Sequence, residues 1–259
     1  MKKAITSGLI WVFFSMAGSS LVQAATMINY DGVTWEVGYQ ASAGFLPNQV
    51  GSDPAWTYLD LANSGSAAIN GSILELTSPG FDARAAAGME PSLWNGNSGA
   101  TRENTVQFNM RALSTNFNDD RPVARVLLAD GLNTFFLTIT VNTTNNGGWV
   151  SFSDSSTYAI NTTAFQTYRI TSTSSGANLY VNGSVTPVLT SSGVASANNF
   201  LSFGDDATGS IGAGVSYWDY VYYTNAGAIA PVPEPGTLSM LLGGLGIGLM
   251  FLRRKRSVV

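Results

Sequence analysis

The chain has 259 residues and a formal net charge of −4, and it contains neither cysteine nor histidine. The missing residue types exclude disulfides, cysteine nucleophiles, Ser-His-acid catalysis and histidine metal sites. Residues 25–232 hold six arginines, no lysine and 15 of the 16 acidic residues, which gives this part a net charge of −9. Such an acidic body argues against nucleic acid or anionic lipid as a partner.

Residues 1–24 have the organisation of a secretory signal peptide. Lys2 and Lys3 precede an apolar run, residues 9–17. The small residues Val22 and Ala24 are typical of a cleavage site, which we place between Ala24 and Ala25. We therefore predict recognition by the secretion machinery and export of the chain. An uncleaved membrane helix is the alternative, but the apolar run is too short to span a bilayer.

Residues 25–225 predict an all-β domain, because short runs of alternating apolar residues lie between clusters of Ser, Thr, Asn and Gly. Asn182-Gly183 is the strongest hairpin signal, since a type I′ turn needs two residues that tolerate positive φ. Asp130-Gly131 predicts a second turn. Residues 80–99 predict a long irregular stretch. The predicted strands are Met27–Val37, Ile69–Thr77, Thr105–Leu113, Val123–Ala129, Thr134–Val141, Trp149–Ser153, Gln166–Thr171, Ala177–Val181, Ser184–Leu189, Phe200–Gly204 and Val215–Tyr223.

The second half of this domain carries a recognisable succession of motifs. In chain order they are Tyr168-Arg169-Ile170, Leu179-Tyr180-Val181-Asn182-Gly183, Phe203-Gly204-Asp205 and Trp218-Asp219-Tyr220-Val221. The succession resembles the C-terminal half of concanavalin A-like lectin/glucanase domains, including the laminin-G-like group. The resemblance implies an antiparallel jelly-roll β-sandwich, and such a fold does not by itself set the function.

Calcium is the only cofactor that the sequence suggests. Many lectin-like jelly rolls bind it through carboxylate oxygens, which makes Asp205 and Asp206 candidate ligands, with Asp119, Asp120 and Asp130 as further oxygen donors. The alternative is that these aspartates stabilise turns. The sequence names no other cofactor.

The carboxylates do not have the spacing of a glycosidase. Glucanases of this fold carry a Glu-x-Asp-x-x-Glu pattern, which sets two carboxyl groups about 5–5.5 Å apart for the retaining reaction. None of Glu36, Glu75, Glu90 and Glu103 has an acidic residue two positions away. We therefore predict that the protein is not an enzyme.

The last predicted strand is rich in aromatic residues. Strict alternation would place Trp218, Tyr220 and Tyr222 on one face and the set Tyr217, Asp219, Val221 and Tyr223 on the other. One face must pack against the core, and the other would offer rings to a sugar or to a partner protein. We take Trp218, Tyr220 and Tyr222 as candidate ligand-binding residues, with burial of both faces as the alternative.

Residues 226–232 predict a short linker, and residues 233–259 form a separate tail. The tail begins with Pro233, Glu234 and Pro235, continues with an apolar segment, residues 237–252, and ends in the basic cluster Arg253, Arg254, Lys255 and Arg256. This order resembles the PEP-CTERM sorting tail of Gram-negative bacteria. The resemblance implies an exosortase-type membrane peptidase as partner, which recognises the motif and removes the tail.

The apolar segment is a short transmembrane helix by prediction. Its 16 residues make a helix of roughly 24 Å, against a hydrocarbon core of about 30 Å. Arg253 and Arg254 must therefore extend towards the headgroups. A weak anchor of this kind suits a tail that is later removed.

Together these features predict an exported protein that is first anchored in the inner membrane and then reaches the cell surface or the extracellular matrix. There it would bind a glycan or exopolysaccharide without catalysis. A structural matrix or adhesion protein without a small ligand is one alternative, and a divergent glycoside hydrolase or lyase is another. The sequence does not specify the ligand, calcium binding, the fate of the tail or the oligomeric state.

Overall fold

The computed structural model describes residues 28–30, 33–49, 56, 58–62, 64–78, 84–89, 102–114, 121–142, 147–154, 156–205 and 214–232. The predicted signal peptide, the Ala24–Ala25 cleavage site and the tail from Pro233 to the predicted membrane stop lie outside these ranges. Within the ranges, no helix has the length and the apolar character needed to cross a membrane.

The described chain consists mainly of β-strands, with one 3-10 turn at Ala41–Ala43. In chain order the strands are β1 (Ile28–Tyr30), β2 (Val33–Trp35), β3 (Val37–Gln40), β4 (Tyr58–Ala62), β5 (Ser66–Asn70), β6 (Ile73–Ser78), β7 (Arg84–Met89), β8 (Asn104–Ser114), β9 (Arg121–Asp130), β10 (Asn133–Asn142), β11 (Gly147–Phe152), β12 (Thr157–Ala159), β13 (Gln166–Thr173), β14 (Gly176–Val181), β15 (Leu189–Ser191), β16 (Val194–Ala195), β17 (Asn199–Asp205) and β18 (Gly214–Thr224).

Two antiparallel sheets form a sandwich, which confirms the predicted all-β class. The first sheet has the order β12-β11-β10-β9-β17-β7-β4, with β16 paired to β10. The second has the order β15-β14-β13-β8-β18-β6-β5, with β3 paired to β18, and β1 and β2 form a separate hairpin. Strands distant in sequence thus lie side by side, so the pairing depends on the whole domain.

The core between the sheets is centred on a chain of aromatic rings. The ring of Phe203 from the first sheet lies 4.8 Å from that of Trp56 and 4.7 Å from that of Trp218 in the second sheet. Phe108 continues the chain, at 5.7 Å from Trp218 and 5.2 Å from Tyr168. All five side chains are buried. Burial of this much apolar surface stabilises a domain that has no cysteine with which to form disulfides.

The predicted turn at Asn182-Gly183 is present. Both residues have positive φ, +51° and +73°, and the amide of Ser184 donates a hydrogen bond to the carbonyl oxygen of Val181. The strand predicted to follow at Ser184–Leu189 is wrong, because the next strand starts only at Leu189. Backbone preference therefore located this turn, while pairing with β14 decided where the next strand begins.

Three other predictions along the chain differ from the structure. The predicted strand Met27–Val37 is instead the antiparallel pair β1 and β2, followed by the start of β3. The predicted strand Ile69–Thr77 is a hairpin of β5 and β6, which turns at Gly71 with φ of +66°. The predicted irregular stretch 80–99 contains β7, a strand of small residues. β7 has little intrinsic strand preference, and its pairing with both β4 and β17 explains why it is extended.

Half of the outer face of the second sheet is covered by other parts of the chain. The hairpin of β1 and β2 places Val33 and Trp35 against Tyr220 and Tyr222 of β18, and Ile229 packs on the same cluster. The other half of this face has no such cover among the described residues. β18 therefore runs from an open half of the face, around Tyr217, to a covered half, around Tyr220 and Tyr222.

Residues 225–232, termed the C-terminal strap, lie over the covered half. The hydroxyl of Thr105 donates a 2.7 Å hydrogen bond to the carbonyl oxygen of Gly227 and accepts one of 2.8 Å from the amide of Ile229. Gly227 and Pro231 are buried. The segment predicted as a linker is thus attached to the sheet as far as Pro231.

Candidate ligand-binding surface

A β-bulge in β18 decides which aromatic residues face outward. Trp218 pairs with Met110 of β8, but Tyr220 pairs with the adjacent Asn109, so Asp219 is an extra residue. An extra residue reverses the alternation of side chains beyond it. The predicted division into two faces is therefore wrong, because it assumed unbroken alternation.

The three predicted ligand-binding rings are buried. Trp218 is in the core between the sheets, with no exposed surface, whereas Tyr220 and Tyr222 lie in the cluster under β2. The rings of Tyr220 and Tyr222 stack with centroids 4.5 Å apart. In this conformation all three side chains contribute to packing and present no ring to solvent.

Polar side chains complete the covered cluster. Gln107 donates a 3.3 Å hydrogen bond to the hydroxyl of Tyr220 and accepts one of 2.7 Å from Nε of Arg169. The guanidinium carbon of Arg169 lies 5.6 Å from the centroid of the Trp35 ring. Gln40 donates a hydrogen bond to the hydroxyl of Tyr222. This cluster fixes the β1–β2 hairpin to the sheet.

The open half of the same face carries a different set of rings. Tyr217 lies opposite Arg111 of β8 on one side and Glu75 of β6 on the other. The guanidinium carbon of Arg111 is 4.5 Å from the centroid of the Tyr217 ring and 5.3 Å from that of Phe165, which is 38% exposed. Nε of Arg111 is buried without a hydrogen-bond partner. A cation between two accessible rings is thus the main feature of this half.

The hydroxyl of Tyr217 is protonated near neutral pH, and its surroundings shift its pKa further upward. Burial raises the pKa of Tyr217, Glu75 raises it further, and Arg111 opposes both effects. Burial also raises the pKa of the neighbouring Asp219. Glu75 is already hydrogen-bonded, because it accepts bonds of 2.6 Å from Asn70 and 3.3 Å from Thr77. The surface therefore offers hydrogen-bond donors and acceptors beside its rings, which is the combination that sugar hydroxyls require.

Sequence reasoning missed Arg111 and Phe165 as parts of this surface. Tyr217, Arg111 and Phe165 belong to three separate segments, and no local pattern connects them. The aromatic density of β18 was a usable signal, but strict alternation selected Trp218, Tyr220 and Tyr222, whose rings are buried. The pairing of β18 with β8 brings Tyr217 beside Arg111, and the pairing of β13 with β8 brings Phe165 to the other side of Arg111.

The candidate calcium ligands cannot be assembled into a site within the described residues. Asp206 lies outside them, and Asp205 ends β17 with its side chain undescribed. In the described ranges no three acidic residues come together to hold a metal ion. Asp130 instead stabilises its turn, because Oδ1 accepts hydrogen bonds from the amides of Leu132 and Asn133. Calcium binding at Asp205 and Asp206 stays a prediction.

Comparison with known proteins identifies the end of the chain. Residues 231–256 match the PEP-CTERM protein-sorting motif. A motif of this class implies an exported protein that passes through the membrane and is processed by an exosortase-type peptidase. The match agrees with the tail predicted from Pro233 onward and covers only this end of the chain. No curated protein matches the sequence.

Several solved structures are similar to this chain at a low level. The carbohydrate esterase vb_24B_21 of the Shiga toxin-encoding bacteriophage phi24B is 13% identical, with a TM-score of 0.46 over 74% of this chain and 98% of that one. The Crh5 transglycosylase is 14% identical, with a TM-score of 0.49 over 74% and 85%. A Trypanosoma rangeli sialidase is 14% identical, with a TM-score of 0.44 over 74% and 31%. We infer neither ligand nor activity from similarities at this level.

Proposed function

We propose that this protein is an exported component of the cell surface or extracellular matrix that binds a glycan without catalysis. The proposed ligand site is the open half of the outer face of the second sheet. The observation that supports it is Arg111, held between the rings of Tyr217 and Phe165. Aromatic rings offer apolar faces to the C–H groups of a sugar, and the guanidinium N–H groups donate to its oxygens.

The charge of the body favours a neutral polysaccharide as the ligand. Residues 25–232 carry a net charge of −9, which repels a polyanion. Arg111 lies in the same row as Glu75, so the open half offers both a cation and a carboxylate. Hydroxyl groups can pair with both, because each hydroxyl donates and accepts hydrogen bonds.

The proposal is tested by co-sedimentation of the mature protein with the matrix polysaccharide of the producing cell, with and without calcium. Arg111→Met should weaken binding about tenfold, the loss typical of an important residue at a binding surface. Arg125→Met is the matched control, because Arg125 also lies over a ring, Phe136 at 5.9 Å, but on the first sheet.

Equal binding by wild type and Arg111→Met would contradict this ligand site. Loss of binding only in Arg125→Met would instead place the ligand site on the first sheet. Self-association without saturable sugar binding would support the structural alternative. Turnover on a panel of polysaccharides, lost on replacing one acidic residue, would establish a hydrolase or lyase instead.

A further inference from the structure

The C-terminal strap ties the sorting motif directly to the folded domain. Thr105 bonds both Gly227 and Ile229, and Nη1 of Arg169 donates a 3.5 Å hydrogen bond to the carbonyl oxygen of Ile229. At the start of the strap, the amide of Asn225 donates to Glu36 at 3.2 Å. The strap is thus held at several points along its length.

The motif begins before the strap ends. The matched residues start at 231, Pro231 is buried, and the next residue, Val232, is 61% accessible. A peptidase that recognises Pro233 to Pro235 therefore has only Val232 between its recognition motif and the folded surface at Pro231. Peptide-binding clefts usually take up several residues of extended backbone on either side of the recognised position.

The short distance to the membrane further limits the access of the peptidase to the motif. Only residues 233–236 separate Val232 from the predicted transmembrane segment at 237–252. Four extended residues span at most about 14 Å, so the attached strap would hold the sandwich close to the bilayer. Release of the eight residues 225–232 would add roughly 26 Å. Only after this release would the chain between the sandwich and the bilayer be long enough for a membrane peptidase to bind the motif.

We propose that the strap must detach from the second sheet before the tail is processed, and that Thr105 therefore limits the rate of processing. The chemical step is cleavage of one peptide bond in the tail with water as co-reactant. The body then ends in a carboxylate and the released tail begins with an amine. Afterwards the strap binds the sheet again, because its hydrogen bonds at Asn225, Gly227 and Ile229 lie upstream of residue 231, where the motif starts. This control of tail processing by the strap does not depend on glycan binding.

The test follows tail loss of the full-length protein by pulse–chase and intact mass in cells that contain the peptidase. Thr105→Val keeps the shape of the buried side chain but removes the hydroxyl that makes two of the strap contacts. The detached fraction should rise about tenfold or more, since each lost hydrogen bond shifts the equilibrium several-fold. Hydrogen exchange of the Ile229 amide and the rate of tail loss should rise together.

Ile229→Ala is a second variant, because it weakens the same docking through apolar contact and leaves Thr105 intact. Thr190→Val, at an exposed position of β15, is the matched control and should behave as wild type. Exchange protection in β8 and β13 checks that the sandwich is folded. Faster exchange in the strap with unchanged or slower tail loss would overturn the proposal. So would unchanged exchange of the amide at position 229 in both variants, or retention of the tail by the wild-type protein.

Discussion

Trp218 and Tyr220 are two residues apart in β18, yet they pack on opposite faces of the second sheet. Trp218 joins the core between the sheets, and Tyr220 joins the cluster beneath Val33 and Trp35. The bulge at Asp219 makes this arrangement possible, because it adds one residue opposite Asn109. The strand can therefore bury aromatic rings on the core side and on the covered side.

Deletion of Asp219 should strongly destabilise the domain. Without the extra residue, either the pairing of β18 with β8 shifts or the side chains from Tyr220 onward exchange faces. We expect a loss of about 4 kcal/mol or more in the free energy of unfolding, measured by chemical denaturation. Asp219→Ala keeps the residue count and should cost about 1 kcal/mol or less. Similar stability of both variants would show that the bulge is not needed.

Phe203 should be among the most sensitive core positions. Its ring contacts Trp56 and Trp218 and so connects the two sheets. Phe203→Ala should lower the free energy of unfolding by about 3–5 kcal/mol, because it removes apolar contact and leaves a cavity. Phe165→Ala, at an exposed ring, serves as the comparison and should cost less than about 1 kcal/mol. A smaller effect at Phe203 than at Phe165 would contradict this account of the core.

Asp154 should stabilise the protein at neutral pH and lose that effect in acid. Burial alone would raise the pKa of Asp154, but hydrogen bonds from Ser191 and Ser192 lower it below its ordinary value. A lowered folded-state pKa adds stability above the unfolded value of about 3.9, and this stability disappears as the pH falls through the folded-state pKa. Asp154→Asn should be less stable than wild type at pH 7 and equally stable near about pH 2. Thermal melts across this range give the comparison.

Asp219 should show the opposite pH dependence. Burial raises its pKa, so the folded state favours the protonated carboxyl group. The wild-type protein should therefore lose stability as the pH rises from the unfolded pKa of about 3.9 through the folded value. Asp219→Asn should gain stability relative to wild type over the same interval. A constant difference between the two proteins at all pH values would exclude this effect.

Tyr217 should contribute to glycan binding through its ring. Tyr217→Phe keeps the ring over which Arg111 lies and should retain binding within about threefold, the loss of one modest hydrogen bond. Tyr217→Ala removes the ring and should weaken binding about tenfold. Titration with the matrix polysaccharide measures both. Equal losses in the two variants would assign the contribution to the hydroxyl instead.

The sequence alone determined the all-β class, the strands β8–β11, β13, β14, β17 and β18, and the turn at Asn182-Gly183, because these depend on local alternation and on local backbone preferences. It also contained the sorting motif, whose residues are contiguous. The first half of the sandwich was less predictable, since β7 is a strand only through its neighbours.

Only the tertiary structure decided which aromatic residues are exposed. The bulge at Asp219 depends on pairing with β8, and the cover over Tyr222 comes from Trp35 near the other end of the chain. The attachment of the strap likewise depends on Thr105, far away in sequence. Contacts of this kind are formed between distant segments when the chain packs, so no local pattern of residues could specify them.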